Sequence, residues 1–221
     1  MDLTLEELAR MIDHTQLHAQ AARDDIEKLT DEAREHGFGS VCVNPFWVST
    51  ASEMLSGTDV RVVSVVGFPL GQNRTECKVM EGRIAIEDGA SELDMVMNLG
   101  ALKSQRFEYV ENDIRQMARL DAKVKVIIEA CYLLPEEKIM ACELAKRAGA
   151  DFIKTSTGFG TYGATVEDVR VIRNVIGGSM GIKAAGGISS WEKAKELISA
   201  GADRIGASKS IEILNGLKSV Q

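Results

Sequence analysis

The feature that most constrains this chain is an eightfold alternation of short apolar runs with longer amphipathic stretches. The runs are rich in Val, Ile and Met and fall at about 10–14, 39–43, 61–66, 91–97, 124–129, 151–154, 181–184 and 203–206. Runs of this length and composition read as strands. Between them, helical patterns occupy about 23–36, 45–55, 74–88, 103–121, 135–148, 165–175, 190–199 and 209–217, and a short extra helix is expected near 4–9. The punctuation agrees. Thr165 is placed to cap a helix, Ser189-Ser190-Trp191-Glu192 reads as a capping box, and Pro135 suits a first helical position. Gly37, Gly149 and Gly201 read as helix stops. Ala-Gly-Ala-Asp occurs at both 148–151 and 200–203, each time leading into a strand, which suits a repeating βα architecture.

Strands that alternate with helices run parallel and are joined by helical crossovers. A closed barrel and a doubly wound open sheet both satisfy the pattern. Eight strands, 221 residues and no Pro/Ser-rich linker favour one α/β domain over 1–221, a (β/α)8 TIM barrel with a short extra N-terminal helix.

Composition narrows the partners. A net charge of −7 argues against nucleic acid and anionic membranes, while leaving room for a small basic pocket. The apolar runs are too short to span a bilayer. The first residues, Met1-Asp2-Leu3-Thr4, lack a basic stretch and an apolar core, so no signal peptide is expected and the location reads as cytoplasmic. The four cysteines, Cys42, Cys77, Cys131 and Cys142, form no C-x-x-C pair and read as buried free thiols in a reducing compartment. With three histidines in all, a metal-dependent site lacks ligands. No metal and no cofactor are expected.

Barrel active sites lie at the C-terminal ends of the strands. The ionisable residues expected there are Asp13, Asp94, Glu129, Lys154 and Lys183; the second strand ends at Cys42 and the last leads to Ser208. Buried charges are costly unless paired, so this concentration points to chemistry. Lys154 and Lys183 sit on consecutive strands, which turns two ammonium groups toward one pocket. Mutual repulsion and burial both disfavour the protonated form. The resulting free amine attacks an aldehyde or ketone to give a Schiff base, with Lys154 as nucleophile and Asp94 as general acid/base. The alternative is that one lysine only pairs with Asp94 or Glu129.

Two glycine-bearing loops follow the seventh and eighth strands: Ala185-Gly186-Gly187-Ile188 before the Ser189 cap, and Gly206-Ala207-Ser208-Lys209 at a helix start. Exposed backbone N–H groups at helix N-termini bind anions, and barrels often bind phosphate at these two loops. Gly158-Phe159-Gly160-Thr161-Tyr162-Gly163 is a literal G-x-G-x-x-G, but its helix starts only after Thr165, and Lys183 stands where a ribose-binding acid belongs. A dinucleotide-dependent oxidoreductase is therefore disfavoured. His14 and His18 are four apart but flank a strand end, and Trp47 and Trp191 read as packing residues.

Taken together, Ile12-Asp13-His14-Thr15, Ser40-Val41-Cys42-Val43-Asn44-Pro45, Val65-Val66-Gly67-Phe68-Pro69, Glu92-Leu93-Asp94-Met95-Val96, Lys154-Thr155-Ser156-Thr157-Gly158-Phe159, Ile182-Lys183-Ala184-Ala185-Gly186-Gly187-Ile188 and Arg204-Ile205-Gly206-Ala207-Ser208 resemble the deoxyribose-phosphate aldolase family over nearly the whole chain. The resemblance implies a class I, metal-free aldolase of deoxynucleoside catabolism. Such an enzyme reversibly splits 2-deoxy-D-ribose 5-phosphate into acetaldehyde and D-glyceraldehyde 3-phosphate, and the chain is expected to be a homo-oligomer, dimer or tetramer. It further implies that Lys154 forms the Schiff base, Lys183 is the second lysine and Asp94 transfers protons. Asp13, Thr15, Cys42, Thr157 and Gly158 fall at pocket positions, and Gly186, Gly187, Gly206 and Ser208 at the phosphate cradle. The chain departs from the family at several points. Its last tyrosine is Tyr162 rather than one in a C-terminal tail, Phe159 stands where some members carry lysine, and Lys209 stands where a small residue is common. Lys209 is expected to add charge near the phosphate. Two other readings remain: a Schiff-base aldolase for a different phosphorylated carbonyl compound, and a non-catalytic phosphate-ligand-binding barrel.

Overall fold

The structure, a computed structural model, describes residues 3–220. Eight parallel strands close into a barrel in chain order, with β8 pairing back to β1. They are β1 (Ile12–Gln16), β2 (Ser40–Val43), β3 (Arg61–Val66), β4 (Glu92–Val96), β5 (Lys123–Ile127), β6 (Phe152–Lys154), β7 (Gly181–Ala185) and β8 (Arg204–Ala207). Around them run α1 (Leu5–Met11), α2 (Arg23–His36), α3 (Val48–Met54), α4 (Thr75–Glu87), α5 (Leu99–Lys103), α6 (Phe107–Ala118), α7 (Pro135–Ala148), α8 (Val166–Ile176), α9 (Trp191–Ala200) and α10 (Ser210–Lys218).

Successive side chains of a strand point to opposite faces, and the two phases here differ in chemistry. Ile12, Val41, Val43, Leu93, Met95, Val124, Val126, Ile153, Ile182, Ala184 and Ile205 belong to the apolar layer between barrel and helices. Each fully buried aliphatic side chain in that layer contributes about 1.5–3 kcal/mol. The other phase carries Asp13, Glu92, Asp94, Lys125, Lys154, Lys183 and Arg204, all buried, beside a small apolar cluster of Leu17, Cys42, Val63 and Val65. Register sets Asp94 beside Lys125 and Lys154 beside Lys183. The outer layer thus stabilises a barrel whose interior is largely ionic.

Several boundaries differ from the sequence expectation. The strand expected at 10–14 begins at Ile12, because α1 continues to Met11. Helix α1 is fixed by the Thr4/Glu7 capping box, and Arg10 in its last turn reaches Glu6 at 3.4 Å. The helix expected over 103–121 is α6, which starts only at Phe107 and ends at Ala118; a short helix not anticipated, α5, precedes it, and Gln105 between the two takes φ 57°. The stretch 45–55 opens with a 3₁₀ turn, Pro45–Trp47, before α3. β5 ends at Ile127, which leaves Glu129 in the following loop at φ 43°. The cap of α9 is Ser190, whose hydroxyl accepts from the Lys193 N–H, without the glutamate half of a box. Thr165 caps α8, Pro135 opens α7, and Gly37, Gly149 and Gly201 end helices at positive φ, as expected.

Candidate active site

A cavity of about 260 Å³ opens at the C-terminal end of the barrel. Lys154, at the end of β6, reaches its floor, and Thr15 and Leu17 line it from the β1 side. Thr157, Gly158 and Phe159 line it from the β6–α8 loop; Gly186, Gly187 and Ser189 from the β7–α9 loop; Gly206, Ser208 and Lys209 from the β8–α10 loop.

Beneath the floor lies one ion-pair network. Asp94 Oδ2 accepts from both Lys154 Nζ (2.9 Å) and Lys183 Nζ (2.8 Å), while its Oδ1 accepts from Lys125 Nζ (2.9 Å). Lys183 also pairs with Asp13 (2.6 Å), Lys125 with Glu92 (2.6 Å), and Arg204 with Asp13 (2.9 Å) and Glu92 (3.2 Å). Arg61 reaches Glu92 from the solvent side at 3.4 Å. Burial works against the charge on Asp94, but Lys125, Lys154 and Lys183 outweigh it and hold the carboxyl well below the usual range. Asp13 is held low in the same way by Lys183, Lys125 and Arg204. Burial also opposes the charge on Lys183, yet Asp13 and Asp94 hold its pKa above that of an ordinary lysine. Inside the barrel, then, Asp13, Glu92 and Asp94 face Lys125, Lys154, Lys183 and Arg204. Three carboxylates thus face four basic groups, and Lys154 is the one of these that reaches the cavity.

The two lysines singled out from sequence therefore share one carboxylate oxygen, with Lys154 alone of the interior lysines touching the cavity among the described residues. Ion pairing with Asp94 and exposure to the cavity coexist, so the simpler pairing reading and the catalytic one describe the same geometry. Glu129 pairs with neither lysine. It accepts the Thr157 N–H (3.0 Å) and the Thr157 hydroxyl, and so anchors the loop that carries Gly158. Asp13 and Cys42 are fully buried below the cavity rather than lining it. Cys42 Sγ is 3.9 Å from Asp94 Oδ2, and burial pushes its thiol up. Lys125, Glu92 and Arg204 were not anticipated. Their signal was present: each is a charged residue in the inward phase of a strand, and Lys125 sits between Val124 and Val126.

The glycines have specific uses. Gly186 and Gly187 take φ 86° and 69°, a region that side chains disfavour, and their loop runs to the N-terminus of α9. A Cβ at Gly206 would stand 2.9 Å from Lys183 Cε, so Gly206 makes room for that lysine. The G-x-G-x-x-G run packs against its neighbours: a Cβ at Gly163 would meet the Gly186 carbonyl oxygen at 2.1 Å, and one at Gly160 would meet Cys131 Sγ at 2.5 Å. Gly163 thus supports the β7–α9 loop through close backbone approach, while Gly160 makes room for Cys131 and Glu129 after β5. The helix N-termini of α9 and α10, with Ser208 and Lys209 beside them, make one wall of the cavity suited to an anion. Phe159, stacked edge-on against Phe68 with centroids 5.5 Å apart, makes an apolar rim. Among the described residues no helix is long and apolar enough to cross a membrane.

A family model described as DeoC/LacD family aldolase matches residues 8–219. A relative named deoxyribose-phosphate aldolase from Aciduliprofundum boonei is 58% identical over 216 residues, covering 96% of this chain and 97% of the relative. One of the same name from Thermococcus kodakarensis is 59% identical over 216 residues, covering 95% and 96%. A solved structure titled as the unique tetrameric structure of deoxyribose phosphate aldolase from Aeropyrum pernix superposes with a TM-score of 0.92 at 35% identity, covering 99% of this chain and 94% of that one.

Proposed function

The chain belongs to the DeoC/LacD family of aldolases, and from that membership we propose that Lys154 carries its chemistry, with Lys183 and Asp94 controlling the protons. The activity is class I aldol cleavage: 2-deoxy-D-ribose 5-phosphate is split reversibly into D-glyceraldehyde 3-phosphate and acetaldehyde. The observation that carries the residue assignment is the position of Lys154, on the cavity floor and bonded to the oxygen that Lys183 also holds.

The neutral Lys154 amine adds to the C1 aldehyde of the open-chain sugar, and loss of water gives an iminium. That iminium is an electron sink. The C2–C3 bond breaks, its electron pair moves toward the iminium nitrogen, and the hydroxyl on C3 loses its proton through a water held by Asp94 as that carbon becomes the aldehyde of glyceraldehyde 3-phosphate. The enamine left on Lys154 takes a proton at carbon, and hydrolysis releases acetaldehyde and the free amine. Asp94, kept ionised by its three lysines, serves as a fixed anion and proton conduit. The Gly186–Gly187 and Gly206–Ser208 loops hold the phosphate, with Thr15, Thr157 and Gly158 shaping the sugar pocket and Asp13 and Cys42 supporting it from below. Binding energy from the remote phosphate orients the reacting carbons.

The enzyme acts as one barrel domain in the cytoplasm on a small phosphorylated sugar and aldehyde. It assembles as a homo-oligomer, a dimer or tetramer, a state supported by the exposed apolar side chains of Phe46, Leu70, Met80 and Ile84. Light scattering on the purified protein measures that state. Incubation with acetaldehyde and borohydride, followed by peptide mapping, tests the assignment. Reductive modification is expected at Lys154, and Lys154→Leu is expected to lose activity by several orders of magnitude. Modification at another lysine, or none, would remove Lys154 from its role.

A further inference from the structure

His14 points away from the barrel interior, between Asp13 and Thr15 on β1, and its ring is buried against Phe38 with centroids 5.0 Å apart. Both ring nitrogens are used. Nε2 lies 2.8 Å from Glu32 Oε2 on α2, and Nδ1 lies 2.9 Å from Ser210 Oγ at the start of α10. The Ser210 hydroxyl also lies 3.0 Å from the Ala207 carbonyl. A carboxylate accepts, so the Nε2–H donates to Glu32, while Nδ1 and the Ser210 hydroxyl share a hydrogen bond whose direction follows the tautomer. Burial opposes the extra proton and pulls the His14 pKa below the ordinary value, while Glu32 opposes that pull.

The location gives this arrangement a purpose. Ala207 is the register partner of His14, and Ser210 is bonded to its ring. His14 thus grips both ends of the short segment that carries Ser208 and Lys209, at the seam where the last strand closes on the first. Glu32 ties the same point to α2, so three elements, β1, α2 and α10, meet at one ring.

We propose that His14, held between Glu32 and Ser210, is a positioning residue that fixes the β8–α10 half of the phosphate cradle and thereby sets the preference for phosphorylated over unphosphorylated sugar. The proposal rests on the reading of that loop as a phosphate site. Two variants break the chain of bonds: His14→Leu removes both, and Ser210→Ala removes one with little change of volume. Ser210→Thr keeps the hydroxyl. Two measurements read the effect: the affinity for inorganic phosphate by titration, and the ratio of kcat/KM for 2-deoxyribose 5-phosphate to that for 2-deoxyribose. Both are expected to fall about tenfold in His14→Leu and Ser210→Ala, the size of one or two lost hydrogen bonds, and to recover in Ser210→Thr. Should His14→Leu fail to fold, Ser210→Ala alone decides. A general loss of structure lowers turnover of both sugars together and leaves their ratio unchanged. A ratio and a phosphate affinity within twofold of the parent protein overturn the proposal, as does a parent protein that binds no phosphate. A parent that binds phosphate yet cleaves neither sugar defeats the aldolase reading alone, and the phosphate titration then decides the role of His14 by itself.

Discussion

Replacing Lys183 by leucine tests the electrostatic core of the mechanism. Lys183 is fully buried, with its ammonium 2.6 Å from Asp13 and 2.8 Å from Asp94. It shares the Asp94 oxygen with Lys154, so two charges there would lie roughly 5 Å apart. At an effective dielectric of about 20 they repel by about 3 kcal/mol, equivalent to about 2 pH units. Without Lys183 the interior keeps its three carboxylates and loses the cation that crowds Lys154. The pH–rate profile is therefore expected to move to higher pH, with kcat/KM about a hundredfold lower at neutral pH and partial recovery on the alkaline side. Stability falls too, by about 3–5 kcal/mol, because Asp13 and Asp94 each lose a buried partner. The assay is retro-aldol turnover across pH, with urea unfolding alongside to exclude pH values where the variant is not folded. A profile that keeps its shape and position, whatever its height, refutes the electrostatic argument.

Other outcomes follow from the same geometry. Lys125→Met removes the partner of Asp94 Oδ1 and of Glu92; a loss of about 3–5 kcal/mol in urea unfolding is expected, with a drop in kcat although Lys125 does not line the cavity. Gly163→Ala drives a methyl into the Gly186 carbonyl, so KM for 2-deoxyribose 5-phosphate should rise severalfold with iminium trapping at Lys154 retained; an unchanged KM would detach the G-x-G-x-x-G run from the phosphate loop. Asp13 and Asp94 have folded pKa values below the usual range. Their contribution to stability is therefore present above the unfolded value of about 3.9 and is lost as pH falls below it. Melting temperature should drop steeply below about pH 4, and less steeply in Asp13→Asn; parallel curves for the two proteins would argue against it.

Much of the candidate site was legible in the sequence because period-two alternation is a local property. Lys154 and Lys183 could be placed on consecutive strands without coordinates, and the two glycine loops could be placed at the helix starts. The G-x-G-x-x-G run could be set aside as a dinucleotide site from its place in the sequence, but its use could not be read there: Gly158 and Gly163 answer to the backbone of Gly186, which approaches from another βα unit. The helix expected over 103–121 forms as α6 but begins only at Phe107, because Gln105 takes φ 57°, which a helix cannot include.

What the chain determines by itself is the alternation of strand and helix, the apolar phase that faces the helices and the polar phase that faces inward, because these depend on neighbours a few residues apart. The tertiary structure decided which inward residues share a layer. Closing eight parallel strands staggers them, and that stagger brings Lys125 from β5, Glu92 from β4 and Arg204 from β8 into the same network as Asp94, Lys154 and Lys183. It also sinks Asp13 and Cys42 below the cavity and turns Glu129 to the Thr157 loop. No local pattern encodes that stagger, because it arises only when the last strand meets the first.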